Sequence, residues 1–591
     1  KQTVNLDDAK YFDLVDENKT FAGLSDAGKE AAEGKNITIS IPSGVTKIAA
    51  GTNIAGILEN YSSELVGLVI PSSVVEIGKY AFYGSSNLAT LDMSNATALK
   101  TIGEHSFDSG STQASNSLRM VTVPENVTVI GNNAFANRTG LTEINFYATN
   151  CADFSANAAE NPFYWAGNKG TGVKVNIGNT ASSNTVAVTK IPANMFLNDI
   201  NKPNKIAIVN FYKANIAAGN FGANAFSGCR ALTTVDFSNS TFAEIGEGAF
   251  NGCSALIVEA QKSLAIPAGV VEIGNNAFSG CSALTSVTLN PILETIGNSA
   301  FNGCTSLGNV TIPETVTEIG NSAFQNCKAF TQITVPTGVK SLGENAFYGC
   351  SSAKTIYYYA KNAEFAYTTS PFANGANNVT LYIGNSANEV NRLSSYLFRS
   401  TNVSTVIFNN VNISGDAKVA NNIFTSCTSL VAVNFENCAL NAIDFAAFYG
   451  CTALTSIDLS GTGVSKISEQ AFYGCTSLTD IKLPSSSLIE IEERAFENCS
   501  ALYKFTVPSN VTSIGNNAFT GCDRLIEVKN ESSLVISPNA TTHGGIAKNA
   551  LNVYKTGDGN IQAPDANGYV FYDDGAKVYL ITYVGDATRL T

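Results

Sequence analysis

The chain has 591 residues, of which 44% are hydrophobic and only 14% are charged, and its formal net charge is −13. This composition can bury a large core, while the acidic balance argues against nucleic acid or an anionic membrane surface as a partner. No run approaches the roughly 20 consecutive apolar residues of a membrane-spanning helix, so we expect no membrane insertion by this portion.

Residues 1–36 are predicted to form an N-terminal cap segment. The stretch LSDAGKEAAEG at 24–34 is typical of a short helix that has Ser25 as its N-cap and stops at Gly34. A first strand is predicted at 37–42, where the sequence is ITISIP. Because a repeat array exposes its core at an open end, a cap is needed there for solubility.

Residues 37–530 consist of near-copies of one unit, and an Ala-Phe pair marks the same position in each clear copy. Where the pattern is tight, the Phe recurs every 23 or 24 residues, within the roughly 20–29 residues of leucine-rich repeats. The clear copies have Phe82, Phe135, Phe226, Phe250, Phe278, Phe301, Phe324, Phe347, Phe448, Phe472, Phe496 and Phe519, and looser copies have Phe107, Phe163, Phe196, Phe372, Phe398 and Phe424. Such repetition predicts one extended core rather than a series of globular domains.

Each unit begins with a predicted strand. In LTSVTLN at 284–290, apolar and polar residues alternate and β-branched residues are frequent. Val287 and Leu289 are therefore predicted to point inward. Ser286 and Thr288 are predicted to lie on the opposite, outward face.

The rest of the unit supplies further inward side chains. In VTEIG, Val316 and Ile319 are predicted to be buried. The segment SAFQNC at 322–327 is predicted to form a helical turn that buries Phe324 and Cys327. One unit cannot shield this many apolar groups alone, but stacked units can, which predicts a mostly β repeat solenoid.

The array itself contains a longer repeat. The segment at 161–184 resembles the one at 370–391, and Phe226 has a counterpart 198 residues later. This spacing indicates two related blocks of about 200 residues, the second beginning near residue 335. Residues 531–591 are predicted to be a divergent C-terminal segment that starts a further block.

The consensus LxxVTIPxxVxxIGxxAFxxCxxL resembles the BspA-like class of bacterial leucine-rich repeats. The resemblance covers about residues 37–530 and is interrupted by insertions at 148–222 and 360–424. It implies a right-handed curved superhelix with a parallel sheet on the concave side and short helical turns. It is also similar to surface and secreted proteins of host-associated bacteria and some protozoa. That similarity implies an extracellular or cell-surface location and adhesion to proteins of the host or of neighbouring cells.

Cysteine is the most prominent candidate for site chemistry. Eleven of the thirteen cysteines follow the marker Phe by three residues, but no CxxC pair offers the clustered ligands of a zinc site. Ser85 and Arg138 occupy the same position in other copies, which favours small buried thiols over disulfides between neighbouring repeats. Cys151 and Cys438 lie outside this phase, and their redox state is left open.

The sequence predicts no enzyme. His105 and His543 are widely separated, and neither has a nucleophile and an acid around it. Acid–base catalysis needs two carboxylates within about 10 Å, whereas the outward aspartates occur in distant copies. We therefore predict no catalytic residue, no cofactor and no metal ligand, and a solenoid hydrolase or lyase is the least favoured function.

One surface pattern predicts a binding site. The outward residue at the centre of a strand is usually Thr, Asn or Asp, but in three successive strands it is Tyr357, Tyr382 and Ile407. Tyr359 lies two residues beyond Tyr357 and should share its face. Parallel strands are about 4.8 Å apart, so these four candidate ligand-binding residues are predicted to form one aromatic stripe on the concave sheet. Exposed stripes of this kind mark binding sites.

Two interpretations of this stripe are open. In one, the insertion at 360–378 folds over the stripe and covers it. In the other, the stripe is exposed and binds a host-matrix or cell-surface protein, or alternatively a glycan that stacks on its rings. Tyr147 and Tyr212 occupy the strand-exit position in the other block.

Overall fold

The computed structural model describes residues 1–52, 55–110, 117–179, 187–199, 203–257, 263–411, 418–555, 559–562, 565 and 569–583. The chain is a parallel-sheet β-solenoid of about 20 turns with little helix, as the repeat pattern predicted. It divides into two compact units, Lys1–Pro313 (unit 1) and Glu314–Thr591 (unit 2).

Unit 1 is built from short strands. In its described part these are β1 (Thr3–Leu6), β2 (Phe12–Val15), β3 (Thr20–Leu24), β4 (Asn36–Ser40), β5 (Lys47–Ile48), β6 (Leu65–Val69), β7 (Glu76–Ile77), β8 (Thr90–Asp92), β9 (Thr101–Ile102), β10 (Met120–Val123), β11 (Val129–Ile130), β12 (Glu143–Phe146), β13 (Val173–Ile177), β14 (Ile206–Ile216), β15 (Thr234–Phe242), β16 (Glu244–Ile245), β17 (Leu264–Ala265), β18 (Glu272–Ile273), β19 (Val287–Thr288) and β20 (Thr295–Ile296). Its helices are α1 (Asp26–Ala32) and the short 3₁₀ helices Ala9–Tyr11, Glu59–Glu64 and Ala158–Glu160.

The predicted N-terminal helix is confirmed. The side-chain oxygen of Ser25 accepts the backbone N–H of Gly28 at 3.2 Å, which satisfies one of the free donors at the start of α1. After the helix, Gly34 has a φ of +70°, in the left-handed region where glycine is favoured. The first predicted strand follows as β4, which pairs in parallel with β1 on one side and β6 on the other.

Most repeats contribute to two sheets. We call the sheet formed by the LxxVTIP strands the main sheet, and the sheet formed by the VxxIG strands the second sheet. In unit 1 the main sheet has the orders β1-β4-β6-β8, β10-β12-β13-β14-β15 and β17-β19. The second sheet contains β2-β3-β5-β7-β9-β11 and β16-β18-β20. Paired neighbours are parallel except for the antiparallel β2–β3 hairpin.

Unit 2 repeats this arrangement. In its described part the strands are β21 (Glu318–Ile319), β22 (Gln332–Val335), β23 (Ser341–Leu342), β24 (Thr355–Tyr358), β25 (Val379–Ile383), β26 (Val403–Asn409), β27 (Lys418–Val419), β28 (Ala432–Glu436), β29 (Ala442–Ile443), β30 (Ser456–Asp458), β31 (Lys466–Ile467), β32 (Asp480–Lys482), β33 (Glu490–Ile491), β34 (Lys504–Val507), β35 (Ser513–Ile514), β36 (Glu527–Asn530), β37 (Asn552–Tyr554), β38 (Tyr569–Asp573) and β39 (Val578–Tyr583), with a 3₁₀ helix at His543–Gly545. Its main sheet has the orders β22-β24-β25-β26-β28-β30-β32 and β34-β36-β37, and its second sheet has β21-β23 and β27-β29-β31-β33-β35.

The alternation of apolar and polar residues along the strands predicted the buried residues correctly. Val287 and Leu289 are buried at 7% and 9% exposure, and Val316 is fully buried. The marker Phe rings form a column, in which Phe278 and Phe301 stack with centroids 5.3 Å apart and planes inclined by 8°. Burying one Phe side chain contributes roughly 1.5–3 kcal/mol, so this column is a major stabilising feature of the fold.

The Ala-Phe segment forms hydrogen-bonded turns rather than the predicted helical turn. The amide of Phe324 donates to the carbonyl of Ala346 in the next repeat at 2.7 Å, so it cannot make a helical bond within its own repeat. Ser322 has a φ of +56°, which a continuing right-handed helix does not tolerate. Hydrogen bonds between repeats therefore continue from the sheets into the turns.

The column of cysteines adds to this bonding. The Sγ of Cys253 donates to the carbonyl of Phe226 in the preceding repeat at 3.3 Å, and Cys281, Cys304 and Cys475 make the same bond. Arg138 stands at the same position of its own repeat and donates Nε to the carbonyl of Phe107 at 2.7 Å. All thirteen cysteines are free, and the eleven in-phase cysteines are buried, as expected for structural thiols.

The last strands differ from the solenoid pattern. β37 pairs in parallel with β36, whereas β38 and β39 form an antiparallel hairpin. The division of the chain into a cap at 1–36, a solenoid at 37–530 and a C-terminal segment at 531–591 stays a prediction.

Candidate ligand-binding site

Three adjacent strands of the main sheet carry the predicted stripe. β24, β25 and β26 pair in parallel, and their register aligns Tyr357 with Tyr382 and Tyr382 with Ile407. Ile356 and Tyr358, on either side of Tyr357, are buried at 4% and 0% exposure. Strand alternation therefore directs Tyr357 to the outward face, and the two residues aligned with it lie in the same row.

Ring contacts join the three tyrosines into one surface, and Ile407 continues their row by strand register. The rings of Tyr357 and Tyr382 stack with centroids 5.1 Å apart and planes inclined by 19°. Tyr359 packs beside Tyr357 at 5.9 Å and 34°. These three tyrosines and Ile407 are all half-buried. Because the first two rings contact each other directly, a ligand would meet their outer faces and edges and could not enter between them.

Polar residues border the stripe on both sides. Thr334 is aligned in register with Tyr357, and Asn434 is aligned with Ile407. Thr334 is half-buried and Asn434 is exposed. The apolar surface is therefore three strands wide with polar neighbours, the layout of an interface core inside a polar rim.

The segment at 360–378 does not run across the stripe. Glu364 forms a parallel bridge with Ser341 of the second sheet. Phe372 stands in the Phe column, with its ring 5.6 Å from that of Phe347 and 5.3 Å from that of Phe398. The segment therefore completes an ordinary turn of the solenoid behind the main sheet. The interpretation in which it covers the tyrosines is not supported.

The equivalent row of unit 1 is polar. Its strands β12, β13 and β14 align Asn145 with Asn176 and Asn176 with Asn210. The Nδ2 of Asn176 donates to Asn145 Oδ1 at 2.8 Å and to Glu143 Oε1 at 2.8 Å, and its Oδ1 accepts from Asn210 at 3.1 Å. Asn145 in turn donates to Thr122 at 3.3 Å. We call this chain of hydrogen bonds the asparagine ladder.

The sequence interpretation missed the asparagine ladder. The ladder partners are 31 and 34 positions apart, so no pattern within a single repeat links them. The available signal was the match of VKVNIGN (173–179) to VTLYIGN (379–385), which places Asn176 at the position of Tyr382.

Comparison with known proteins identifies the repeat. A family model described as "BspA type Leucine rich repeat region" matches residues 32–162, 189–327, 258–377, 294–418 and 391–526, which together are more than half of the chain. The chain belongs to this family. No curated protein matches the BspA-type chain.

Several solved structures are similar to this BspA-type protein. A leucine-rich repeat protein from Bacteroides ovatus ATCC 8483 is 19% identical, with 88% of this chain and 92% of that chain covered and a TM-score of 0.29. A leucine rich cell surface protein from Faecalibacterium prausnitzii A2-165 is 19% identical, with 92% and 97% covered and a TM-score of 0.24. The pneumococcal vaccine antigen PcpA is 17% identical, with 66% and 87% covered and a TM-score of 0.31.

The two histidines of this BspA-type chain lie in different settings. Nδ1 of His105 is 2.8 Å from a carboxylate oxygen of Asp108, and its ring stacks on Tyr80 with centroids 4.8 Å apart. The sequence interpretation did not foresee this pair. His543 is half-buried, with Nε2 3.2 Å from the carbonyl oxygen of Val535.

Burial makes the thiols poor nucleophiles. It raises the pKa of Cys304 and of Cys475 to about 12, so both remain protonated near neutral pH. Cys151, outside the column, is also buried, and burial raises its pKa to about 12. Cys438 is half-buried, and burial raises its pKa as well.

Two features are absent from the described part of the BspA-type chain. It contains no group of three or more His, Cys, Asp or Glu side chains that could hold a metal ion. Within the same residues, no helix has both the length and the apolar character needed to cross a membrane.

Proposed function

We propose that this BspA-type protein is a non-enzymatic binding scaffold, extracellular or on the cell surface, that adheres to a host or neighbouring-cell protein. The partner would contact the outward face of the main sheet of unit 2. The observation that carries the proposal is the stripe of Tyr357, Tyr359, Tyr382 and Ile407, which is in register, half-exposed and bordered by polar residues.

The geometry of the stripe favours a protein partner over a glycan. Tyrosine is enriched in protein interfaces because it combines a large apolar area with a hydroxyl group. The contact between Tyr357 and Tyr382 at 5.1 Å presents a continuous surface that suits apolar side chains of a partner. A sugar ring would find a stacking face there but no cleft to enclose it.

Binding, rather than catalysis, is also supported by the side-chain chemistry. The four residues include no carboxylate, imidazole or thiol, which are the groups that hydrolases and lyases commonly use as acid, base or nucleophile. Their neighbours Thr334 and Asn434 are neutral as well.

The proposal is tested with a panel of host extracellular-matrix proteins and a glycan array, both probed with the whole chain. The test variant carries Tyr357→Ala and Tyr382→Ala. The matched control carries Tyr449→Ala and Tyr473→Ala, which remove another stacked pair, 4.6 Å apart, from the Ala-Phe turns. We expect the unaltered chain to bind at least one matrix protein, the test variant to bind it at least about tenfold more weakly, and the control to bind it normally.

Two results would contradict this assignment. Equal binding of the protein partner by the test variant would remove the stripe from the site. Glycan binding that the same test variant abolishes would assign the stripe to a carbohydrate ligand instead.

A further inference from the structure

A slot opens on the main sheet of unit 1, directly beyond the asparagine ladder. Tyr147, Gly178 and Tyr212 each follow one of three buried residues that the strand register aligns. The two tyrosines therefore stand on alternate strands, about 10 Å apart, which is twice the spacing of neighbouring strands. Both residues line a depression of about 200 Å³.

Gly178 keeps the slot open. Its φ of +89° lies in the left-handed region, which favours glycine. A Cβ atom at this position would also overlap the backbone carbonyl oxygen of Tyr212. Any other residue would be strained here, so backbone rather than a side chain lies between the two tyrosines.

Hydrogen-bonding groups form the rest of the lining. Asn145 and Asn176 are each only 7% exposed, and the asparagine ladder fixes the orientation of their amide groups before any ligand arrives. Glu143 and Lys174 are aligned partners on neighbouring strands and border the same depression. Burial and, secondarily, the charge of Glu143 raise the pKa of the Tyr147 hydroxyl, which keeps this group protonated as a donor.

The charges and the volume restrict the ligand. One carboxylate and one ammonium group border the slot, so its charge balance favours neither an anion nor a cation. The volume of about 200 Å³ is below the roughly 300–1,000 Å³ of pockets for drug-sized ligands. The slot therefore fits a small neutral molecule.

The walls and the floor of the slot restrict the choice of ligand further. The strand spacing of about 10 Å leaves room for one ring between Tyr147 and Tyr212, because two stacking contacts of about 3.5–4 Å each would occupy about 7–8 Å. The preset amide and carboxylate groups of the floor favour a ring that carries several hydroxyl groups, because hydroxyls both donate and accept hydrogen bonds. A single pyranose ring satisfies both conditions.

We propose that the slot between Tyr147 and Tyr212 binds one pyranose ring of a carbohydrate, which stacks between the tyrosines and hydrogen-bonds to Asn145, Asn176 and Glu143. The slot lies in unit 1 and shares no residue with the stripe of unit 2. This proposal therefore stands or fails independently of the proposed protein-binding function.

The test uses saturation-transfer-difference NMR on the whole chain with free glucose, galactose, mannose and N-acetylglucosamine. Each sugar is titrated to about 10 mM, because single-ring ligands bind with affinities near the millimolar range. Adenosine and free phenylalanine are included to detect a different class of ring. We expect at least one sugar to receive saturation at its ring protons, and adenosine and phenylalanine to receive none.

Variants locate the binding. Tyr147→Ala and Tyr212→Ala should each weaken sugar binding about tenfold or more. Tyr147→Phe retains the ring and should reduce sugar affinity much less. Tyr80→Ala is the matched control, since Tyr80 is a half-buried tyrosine of unit 1 in the Ala-Phe turns. Circular dichroism and thermal melting confirm that every variant is folded.

Three results would overturn the proposal. The first is that none of the four sugars binds. The second is that sugar binding survives in the double variant Tyr147→Ala/Tyr212→Ala. The third is that adenosine or phenylalanine, rather than a sugar, competes for the slot.

Discussion

The two blocks of the solenoid use one backbone arrangement for two different surfaces. Asn176 of unit 1 and Tyr382 of unit 2 occupy matching positions in VKVNIGN and VTLYIGN. Each is aligned in register with the central residue of the preceding strand, which is Asn145 in one block and Tyr357 in the other. One row is a hydrogen-bonded ladder of amides, and the other is a row of stacked rings.

Other positions of the same strands are unchanged. Ile177 and Ile383 are both fully buried, and Gly178 and Gly384 both have positive φ values, +89° and +71°. Stacking therefore constrains the inward residues and the glycine turn, whereas the outward residue is free to change its chemistry. Ligand preference can therefore differ between blocks without any change of the core.

The largest effects are expected in the inward layer, where the blocks should behave alike. Phe226 of unit 1 and Phe424 of unit 2 are fully buried and stack on the Phe of both neighbouring repeats, at 5.7 and 5.3 Å for the first and 5.7 and 5.4 Å for the second. Phe226→Ala and Phe424→Ala should each lower the free energy of local unfolding by about 3–5 kcal/mol, because each leaves a cavity in the column. Hydrogen exchange measured by mass spectrometry reports this loss for each repeat.

The control for this pair is Thr452→Ala, an exposed residue of a turn that should change stability by less than about 0.5 kcal/mol. Exchange in repeats distant from each Phe substitution should also stay normal, since repeats contact only their neighbours. The cost of one type of core substitution varies by about 2 kcal/mol between sites. A larger difference between the two Phe variants would show that the inward layers are not equivalent.

A smaller and unequal effect is expected in the outward layer. Asn176→Ala removes three hydrogen bonds and leaves the buried Oδ1 of Asn145 without its donor, which should cost about 1–3 kcal/mol. Tyr382→Ala removes a half-exposed ring that stacks on one neighbour, which should cost about 1 kcal/mol or less. Urea denaturation of both variants measures the difference. Equal losses would mean that the asparagine ladder contributes nothing beyond an ordinary surface contact.

The sequence predicted the inward layer because that layer follows a local rule. The alternation of residues within a strand predicts that Val287 and Leu289 are buried. The fixed repeat length predicts the same for Phe324. The stripe was predictable for the same reason, since Tyr357 and Tyr382 stand at the centre of recognisable strands. Their role as ligand-binding residues stays a prediction.

Features that depend on bonds between repeats could not be predicted. The Ala-Phe segment looks helical on its own, but the amide of Phe324 bonds to Ala346 of the next repeat. Asn145 and Asn176 are separated by an insertion, so their pairing requires the three-dimensional register. The slot depends on the positive φ of Gly178 and on a neighbouring carbonyl, neither of which a single repeat reveals.

A further small effect is expected at an inward position where the two units do differ. Phe146 of unit 1 corresponds to Tyr358 of unit 2, and both are fully buried. The Tyr358 hydroxyl is buried, and the described residues provide it with no hydrogen-bond partner. Its ring contacts that of Phe398 edge to face, with centroids 5.7 Å apart, and this contact does not need the hydroxyl.

Tyr358→Phe should therefore stabilise unit 2 by about 1 kcal/mol, because it removes a buried polar group that lacks a partner and keeps the ring. The reverse substitution in unit 1, Phe146→Tyr, should destabilise by a similar amount, because it adds a hydroxyl to an equivalent apolar environment and overpacks it. Urea midpoints at constant m-value measure both changes. A loss of stability in Tyr358→Phe would show that the hydroxyl has a favourable partner in solution. In that case Tyr358 would belong, with Tyr357 and Tyr382, to the residues that give the second block its own chemistry.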